Sequence, residues 1–227
     1  SDVFVYSDAA RSEADCAAVE EVRHIVKEAK GFRQVHVTER EQNWGLARNI
    51  IDGVTTMVNR YGRVIVLEDD LVVAPHFLRF MNDALDIYAD VPQVGHIQAC
   101  DFTNDPSLPD TFLIKWTGSW GWGTWKRAWQ FFNPDGKALL EELKRKKLTY
   151  TFDLTENTDI HACSADKPKE RIILGPSDGM PLFFSMTSCR SMWENHLYKT
   201  SGSTVAERIA EAGTYTGQGF IWSHYRW

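Results

Sequence analysis

The sequence lacks an excess of basic residues. Its 227 residues include 25 lysines and arginines against 31 aspartates and glutamates, which gives a formal net charge of −6. Proteins that bind nucleic acid mainly through its phosphates carry a basic surface, so this balance gives no electrostatic case for a nucleic-acid partner. No apolar run approaches the roughly 20 residues that a membrane-spanning helix needs, so we expect no transmembrane segment.

Cysteine is also scarce, and its spacing excludes the common cysteine frameworks. The four cysteines are widely separated and form no CxxC pair; they are Cys16, Cys100, Cys163 and Cys189. This pattern argues against a structural zinc site and a disulfide scaffold, and it fits a reducing compartment. We therefore expect the protein in the cytoplasm or at the inner membrane surface.

Strand-like and helix-like segments alternate along the first hundred residues. Strands are predicted at Val3 to Tyr6, Gln34 to Thr38, Arg63 to Leu67 and Val94 to Ala99. Helices are predicted from Glu13 to Lys30, from Asn43 through Met57, and from Pro75 through Tyr88. Asn43 is interpreted as a helix cap and Pro75 as a residue of a first helical turn. The alternation predicts an α/β fold with a sheet of parallel strands.

The strongest functional motif is Glu68-Asp69-Asp70, which directly follows the apolar run RVIVL. In open α/β sheets, ligands bind at the carboxyl ends of the strands. Carboxylates left unpaired there are costly, and a divalent cation shared with substrate phosphates would neutralise them. A solvated acidic turn is the alternative, and on the triplet alone the two interpretations weigh about equally.

Two further polar residues are candidates for the same region. Asp8 follows the first predicted strand, where it could accept hydrogen bonds from a nucleotide base or ribose; a turn-forming aspartate is the commoner use. Arg48 lies one turn into the helix predicted to begin near Asn43, where a guanidinium suits a diphosphate. An ordinary surface arginine explains Arg48 equally well.

Five tryptophans and three glycines are interleaved between Trp116 and Trp129. Tryptophan faces suit sugar rings, and glycine permits a close approach of the backbone. Trp125 and Trp129 are four residues apart on a predicted helix, and we interpret them as core residues. For Trp120-Gly121-Trp122, a binding site and a packed core are equally supported.

Four segments taken together resemble bacterial GT-A glycosyltransferases of the kind filed with glycosyltransferase family two: VYSDAARSE, NWGLARNI, RVIVLEDDLVVAPHFLRFMNDAL and SWGWGTWKRAW. These proteins share the EDD motif with eukaryotic N-acetylglucosaminyltransferase I. The resemblance covers Asp2 to about Leu154 and rests on the combination of motifs. It implies a GT-A nucleotide-diphospho-sugar transferase fold, Rossmann-like, with a mixed, mostly parallel sheet, flanking helices and a Mn²⁺ or Mg²⁺ cofactor. It also implies an inverting transfer of sugar from a nucleoside-diphosphate donor to a glycan or lipid-linked acceptor in surface polysaccharide synthesis.

The resemblance also implies roles for individual residues. Asp8 would contact the nucleotide base, and Arg48 would lie near the donor. Glu68 and Asp69 would bind the ribose-diphosphate together with Asp70, which would be the direct metal ligand. Trp120, Gly121 and Trp122 would line the sugar and acceptor side; the catalytic base is not assigned.

Two other functions compete with a glycosyltransferase. A sugar nucleotidyltransferase shares the sheet and the carboxylates, but needs a glycine-rich phosphate loop after its first strand. A non-catalytic carbohydrate-binding module would use the tryptophan cluster and would leave the strand-end EDD unexplained.

The sequence departs from the family pattern at both ends. The first family strand, with its TYNRP-like loop, has no counterpart, so we expect residues 1–154 to form a catalytic domain with a vacant central strand position. After Thr155 nothing matches in the given frame, whereas back-translation in another frame permits a family-like stretch containing SWAIRWYASLFF. One base lost in the codon of Leu154 would explain this, and resequencing the gene tests it. We interpret residues 155–227 as a frameshifted tail without a native domain, and expect an inactive chain that is poorly soluble or partly unfolded.

Overall fold

Strands and helices alternate in a mixed α/β arrangement, in agreement with the predicted class. The computed structural model describes residues 2–99, 111–114 and 117–148, and the backbone of two strands at 184–188 and 220–224. The strands are β1 (Asp2–Ser7), β2 (Gln34–Glu39), β3 (Arg63–Glu68), β4 (Val94–Gln98), β5 (Thr111–Ile114), β6 (Trp122–Trp125), β7 (Phe184–Ser188) and β8 (Phe220–His224). The helices are α1 (Cys16–Lys27, after a 3-10 turn at Glu13–Asp15), α2 (Leu46–Tyr61), α3 (Phe77–Ile87), α4 (Lys126–Trp129) and α5 (Gly136–Arg145).

The described strands form one sheet in the order β2-β1-β8-β3-β6-β4-β7-β5. β6 runs antiparallel to both of its neighbours, β3 and β4, and β5 runs antiparallel to β7. The remaining neighbours pair in parallel. The predicted strands at the start of the chain are therefore confirmed. The sheet is mixed, whereas the alternation alone predicted parallel strands, because β5 and β6 run antiparallel to their neighbours.

Apolar side chains cover both faces of strand β3. On one face, Ile65 and Leu67 of β3 belong to a buried cluster that includes α3. On the other face, Val64 and Val66 belong to a second cluster that includes α2. A strand buried on both faces reads as a continuous apolar run, which is why RVIVL was recognisable in the sequence.

All three helices predicted in the first hundred residues begin later than the sequence predicted. α1 begins at Cys16 rather than Glu13, after a 3-10 turn, and ends at Lys27 rather than Lys30. α2 begins at Leu46 after Gly45, whose φ of 76° lies in the region that favours glycine. The prediction that Asn43 caps this helix is wrong, because its Nδ2 donates instead to the Ala9 carbonyl at 2.7 Å. Pro75 was predicted within a first helical turn, but it lies before α3, which begins at Phe77 after a turn closed by Phe77 N and the Ala74 carbonyl at 3.0 Å.

The core interpretation of two tryptophans is confirmed, although one lies on a different element. Trp125 is the last residue of β6 rather than part of a helix, and Trp129 ends α4. Both are buried, and both indole N–H groups donate hydrogen bonds, from Trp125 to the Leu85 carbonyl at 3.1 Å and from Trp129 to Thr55 Oγ1 at 2.9 Å. A buried indole with a satisfied N–H is a stable core element.

Strand β8 occupies the central position that was expected to be vacant. Its backbone pairs in parallel with β1 and with β3, with Trp222 in register with Val5 and with Leu67. The expectation of a vacant position between β1 and β3 is therefore wrong, since a strand from the last part of the chain pairs with both. The interpretation of residues 155–227 as a frameshifted tail rests mainly on residues outside the described ones and stays a prediction.

Several sequence-based candidates lie outside the described residues, namely Trp116 and the cysteines at positions 100, 163 and 189. Cys16 is described, and it is a free, exposed thiol. Among the described helices, none is both long enough and apolar enough to cross a membrane.

Candidate functional site

The predicted site residues are brought to one edge of the sheet. The carboxyl ends of β1, β3 and β4 lie at the same edge as the amino end of β6, because β6 runs antiparallel to its neighbours. Asp8 follows β1, Glu68-Asp69-Asp70 ends and follows β3, and Trp120-Gly121 precedes β6. With β8 and β3 lying between β1 and β6, this edge spans about 14 Å at the usual strand spacing.

Asp8 is buried and fixes the loop that leads into α2. Its Oδ1 accepts hydrogen bonds from Ala9 N at 2.9 Å and Trp44 N at 2.8 Å, and its Oδ2 accepts one from Gly45 N at 2.8 Å. An ionised carboxylate offers about four acceptor positions, so about one remains for another donor. In this structure Asp8 is a loop-fixing aspartate, and its contact with a nucleotide base stays a prediction.

Arg48 lies in the first turn of α2 with its guanidinium over an indole. The guanidinium carbon is 4.0 Å from the centroid of the Trp44 ring, and that of Arg40 is 3.9 Å from the same centroid. Arg48 is exposed and Trp44 is half-buried. An exposed guanidinium keeps its planar set of N–H donors available for a phosphate or carboxylate.

Two polar residues that the sequence analysis did not identify connect the end of β1 to the neighbouring loop and helix. Arg23 of α1 donates to Ser7 Oγ at 3.2 Å, to the Asp8 carbonyl at 3.3 Å and to the Arg40 carbonyl at 3.1 Å. Asn49 of α2 is buried, and its Nδ2 donates to the Tyr6 carbonyl at 3.0 Å. Asn49 could have been found as a polar residue next to Ile50 on the apolar face of a predicted helix, because such a residue needs a buried partner.

In the acidic triplet, Glu68 is partly buried and lies close to the negative charges of the two aspartates. Glu68 is half-buried at the end of β3, whereas Asp70 is exposed. Burial, and then the charges of Asp70 and Asp69, raise the pKa of Glu68 to about 7. A nearby cation would relieve this repulsion.

The carboxylates fit a divalent cation that is shared with a substrate. Within the described ranges, no three His, Cys, Asp or Glu side chains are gathered as a ready-made metal cage. Mg²⁺ sites that serve phosphate chemistry, however, typically use one or two carboxylates and complete the coordination with substrate phosphates and water. The hard oxygen donors at the end of β3 match that kind of site.

The two tryptophans around Gly121 differ in exposure. Trp120 is 52% exposed, whereas Trp122 is 2% exposed. The Trp122 ring stacks on His96, with centroids 5.4 Å apart and planes 13° apart, and its Nε1 has no hydrogen-bond partner among the described residues. About half of the Trp120 surface is therefore accessible to a ligand, while Trp122 supports the site from the core; their ligand contacts stay predictions.

The loop that carries Trp120 is fixed to β4. Ala99 N donates to the Gly121 carbonyl at 3.2 Å, and Gly118 N donates to Gln98 Oε1. His96 makes a hydrogen bond with the Gly118 backbone, and its burial lowers the pKa of the imidazole to about 3. The sequence analysis did not identify His96 and Gln98 as site residues. The one indication was that two polar residues stand two positions apart in a strand that is otherwise apolar.

Gly121 is required by its conformation and by its neighbours. Its φ is 68°, and a Cβ at this position would lie 2.8 Å from Cε2 of Phe77 and 3.5 Å from Cδ2 of Leu67. The backbone therefore passes close to the first residue of α3, as the interleaved glycines suggested.

The edge combines groups of complementary chemistry. Carboxylates at the end of β3 suit a cation, the exposed Arg48 suits a phosphate, and the exposed Trp120 suits the apolar face of a sugar. Comparison of the chain with protein-family models, with curated proteins and with solved structures finds no match.

Proposed function

We propose that this protein is a GT-A glycosyltransferase of the kind filed with glycosyltransferase family two, which transfers a sugar from a nucleoside-diphosphate donor to an acceptor hydroxyl with inversion. One observation carries the proposal: the candidate groups follow one another along one sheet edge. Asp8 follows β1, the acidic triplet ends and follows β3, and Trp120 precedes β6. This order matches the order of base, diphosphate and sugar in the donor, and the carboxyl edge is where α/β sheets bind nucleotides.

Each group would have a separate task in donor binding. Arg48 would donate hydrogen bonds to the diphosphate, and Trp120 would pack against the apolar face of the sugar. Asp70, exposed after β3, would hold Mn²⁺ or Mg²⁺, with Glu68 and Asp69 beside it. The cation would supply positive charge to the departing diphosphate.

The remaining parts of the proposal concern partners and location. The acceptor is a glycan or a lipid-linked saccharide, and the reaction belongs to surface polysaccharide synthesis in the cytoplasm or at the inner membrane surface. If residues 155–227 are a frameshifted tail, this chain binds the donor without transferring the sugar. Binding, rather than turnover, is therefore the appropriate first readout.

Isothermal titration calorimetry on the full chain separates this function from its rivals. We expect saturable binding of a nucleoside diphosphate, UDP or GDP, that requires manganese. Binding of a nucleoside triphosphate and a sugar 1-phosphate in preference to the diphosphate would favour a sugar nucleotidyltransferase. Binding of free saccharides without any nucleotide would favour a carbohydrate-binding module, and either outcome would refute the proposal.

A further inference from the structure

Trp44 connects two arginines that differ in how they are held. Arg40 is fixed by polar contacts on α2, since its Nε donates to Asn49 Oδ1 at 2.9 Å and its Nη2 donates to Asp52 Oδ2. Arg48 is exposed, and no carboxylate pairs with it among the residues that the structure describes. The Trp44 ring is its described contact, so the position of this guanidinium depends on that ring.

The position of Trp44 depends in turn on Asp8. The hydrogen bonds from Trp44 N and Gly45 N to the two Asp8 oxygens fix the backbone on both sides of the residue that bears the indole. Asp8 is 4% exposed, so these bonds are shielded from water. A chain of contacts therefore runs from the end of β1 through Trp44 to Arg48.

We infer that Asp8 and Trp44 are positioning residues that hold the Arg48 guanidinium ready for the diphosphate of the donor. This inference rests on the proposed function and deepens it, because it gives Asp8 a task that acts through Trp44 rather than through the base alone. A guanidinium stacked on an indole is held by its face, while its N–H donors point outward in its plane. Because a long side chain loses rotamer freedom on binding, ordering it in advance strengthens the contact with the phosphate.

The first test needs no ligand. In an NMR spectrum of the arginine Nε–H groups of the full chain, the ring current of Trp44 should shift the Arg48 signal upfield; Arg48→Lys assigns it. Trp44→Ala should return this signal to the position of an exposed arginine, Asp8→Asn should move it in the same direction, and Trp44→Phe should retain part of the shift. An unshifted Arg48 signal in the wild type, or a shift that persists in Trp44→Ala, would overturn the inference.

The second test measures the affinity for a nucleoside diphosphate with manganese by calorimetry. Trp44→Ala should weaken binding about five-fold, because the Arg48 side chain would then have to be ordered when the ligand binds, and Trp44→Phe should restore most of the affinity. The matched control is Arg60→Ala, which removes an exposed arginine that lies 5.0 Å from the Tyr61 ring at the other end of α2. This control should leave the affinity unchanged.

The outcomes separate the inference from the proposed function. If the wild type binds no nucleoside diphosphate, the proposed function fails, and the role inferred for Arg48 fails with it. If the wild type binds and Trp44→Ala binds equally tightly, the inference alone is refuted. If Asp8→Asn does not fold, the half-buried Trp44 still provides variants that decide the question.

Discussion

His96 should make the stability of the protein depend on pH. Burial lowers the pKa of its imidazole to about 3, whereas an unfolded histidine titrates near its usual value of 6.5. Below pH 6.5 the unfolded state binds a proton at His96 that the folded state excludes. The contribution of His96 to the free energy of unfolding is therefore complete above pH 6.5 and decreases as the pH falls towards 3. In this range, each fall of one pH unit lowers the free energy of unfolding by about 1.4 kcal/mol.

The measurement compares the wild type with His96→Gln, which keeps a polar side chain but does not titrate. Urea unfolding at pH 7.5 and at pH 5.5 gives the free energy of unfolding of each protein. From pH 7.5 to pH 5.5, the free energy of unfolding of the wild type should fall by about 1.4 kcal/mol more than that of the variant. Glu68 acts in the opposite direction, because its raised pKa of about 7 means that the folded state gains stability as the pH falls through that value. Subtracting the variant removes this contribution, and an unchanged difference at the two pH values would show that His96 is not held neutral by burial.

The remaining predictions concern single residues that shape the loop before β6 and the start of α5. Gly121→Ala should destabilise the protein by about 2 kcal/mol or more, because it adds backbone strain and a clash with the Phe77 ring. Gly62→Ala is the matched control, since its φ of 80° gives similar strain with no atom within 4 Å of the new Cβ; equal losses in thermal unfolding would disprove the clash. Asp135→Ala should lower the free energy of unfolding by about 1 kcal/mol, because the Asp135 side chain accepts hydrogen bonds from two backbone N–H groups at the start of α5. A change within the error of the unfolding measurement would show that this cap does not stabilise the helix.

The order of elements was predictable because it depends on local patterns. The run from Arg63 to Leu67 is apolar on both faces, so its sequence alone indicated a buried strand. The place where each helix begins was less predictable. α2 begins after Gly45 because this glycine adopts a positive φ and because Asp8, from another part of the chain, binds its N–H. Neither fact is visible in the residues around Asn43.

The candidate site was predictable in position but not in its supporting contacts. The acidic triplet and Trp120 could be identified because they adjoin strand ends or tryptophan-rich segments. The sequence could not distinguish Trp120 from Trp122, because their exposure depends on the register of β6 against β3 and β4. It also could not predict that His96 would be buried beneath Trp122, a contact between two separate strands.

The central claim is that the end of β3 binds a divalent cation together with a nucleoside diphosphate. The most direct measurement is calorimetric titration of a nucleoside diphosphate, with and without manganese, into the wild type, Asp70→Asn and Asp83→Asn. Asp83 is a suitable control because it lies on α3, away from the end of β3, and its carboxylate forms an exposed ion pair with Arg79 at 3.7 Å. We expect Asp70→Asn to abolish the manganese-dependent binding and Asp83→Asn to retain the wild-type affinity. Equal effects of the two substitutions would contradict the assignment of Asp70 as the metal ligand.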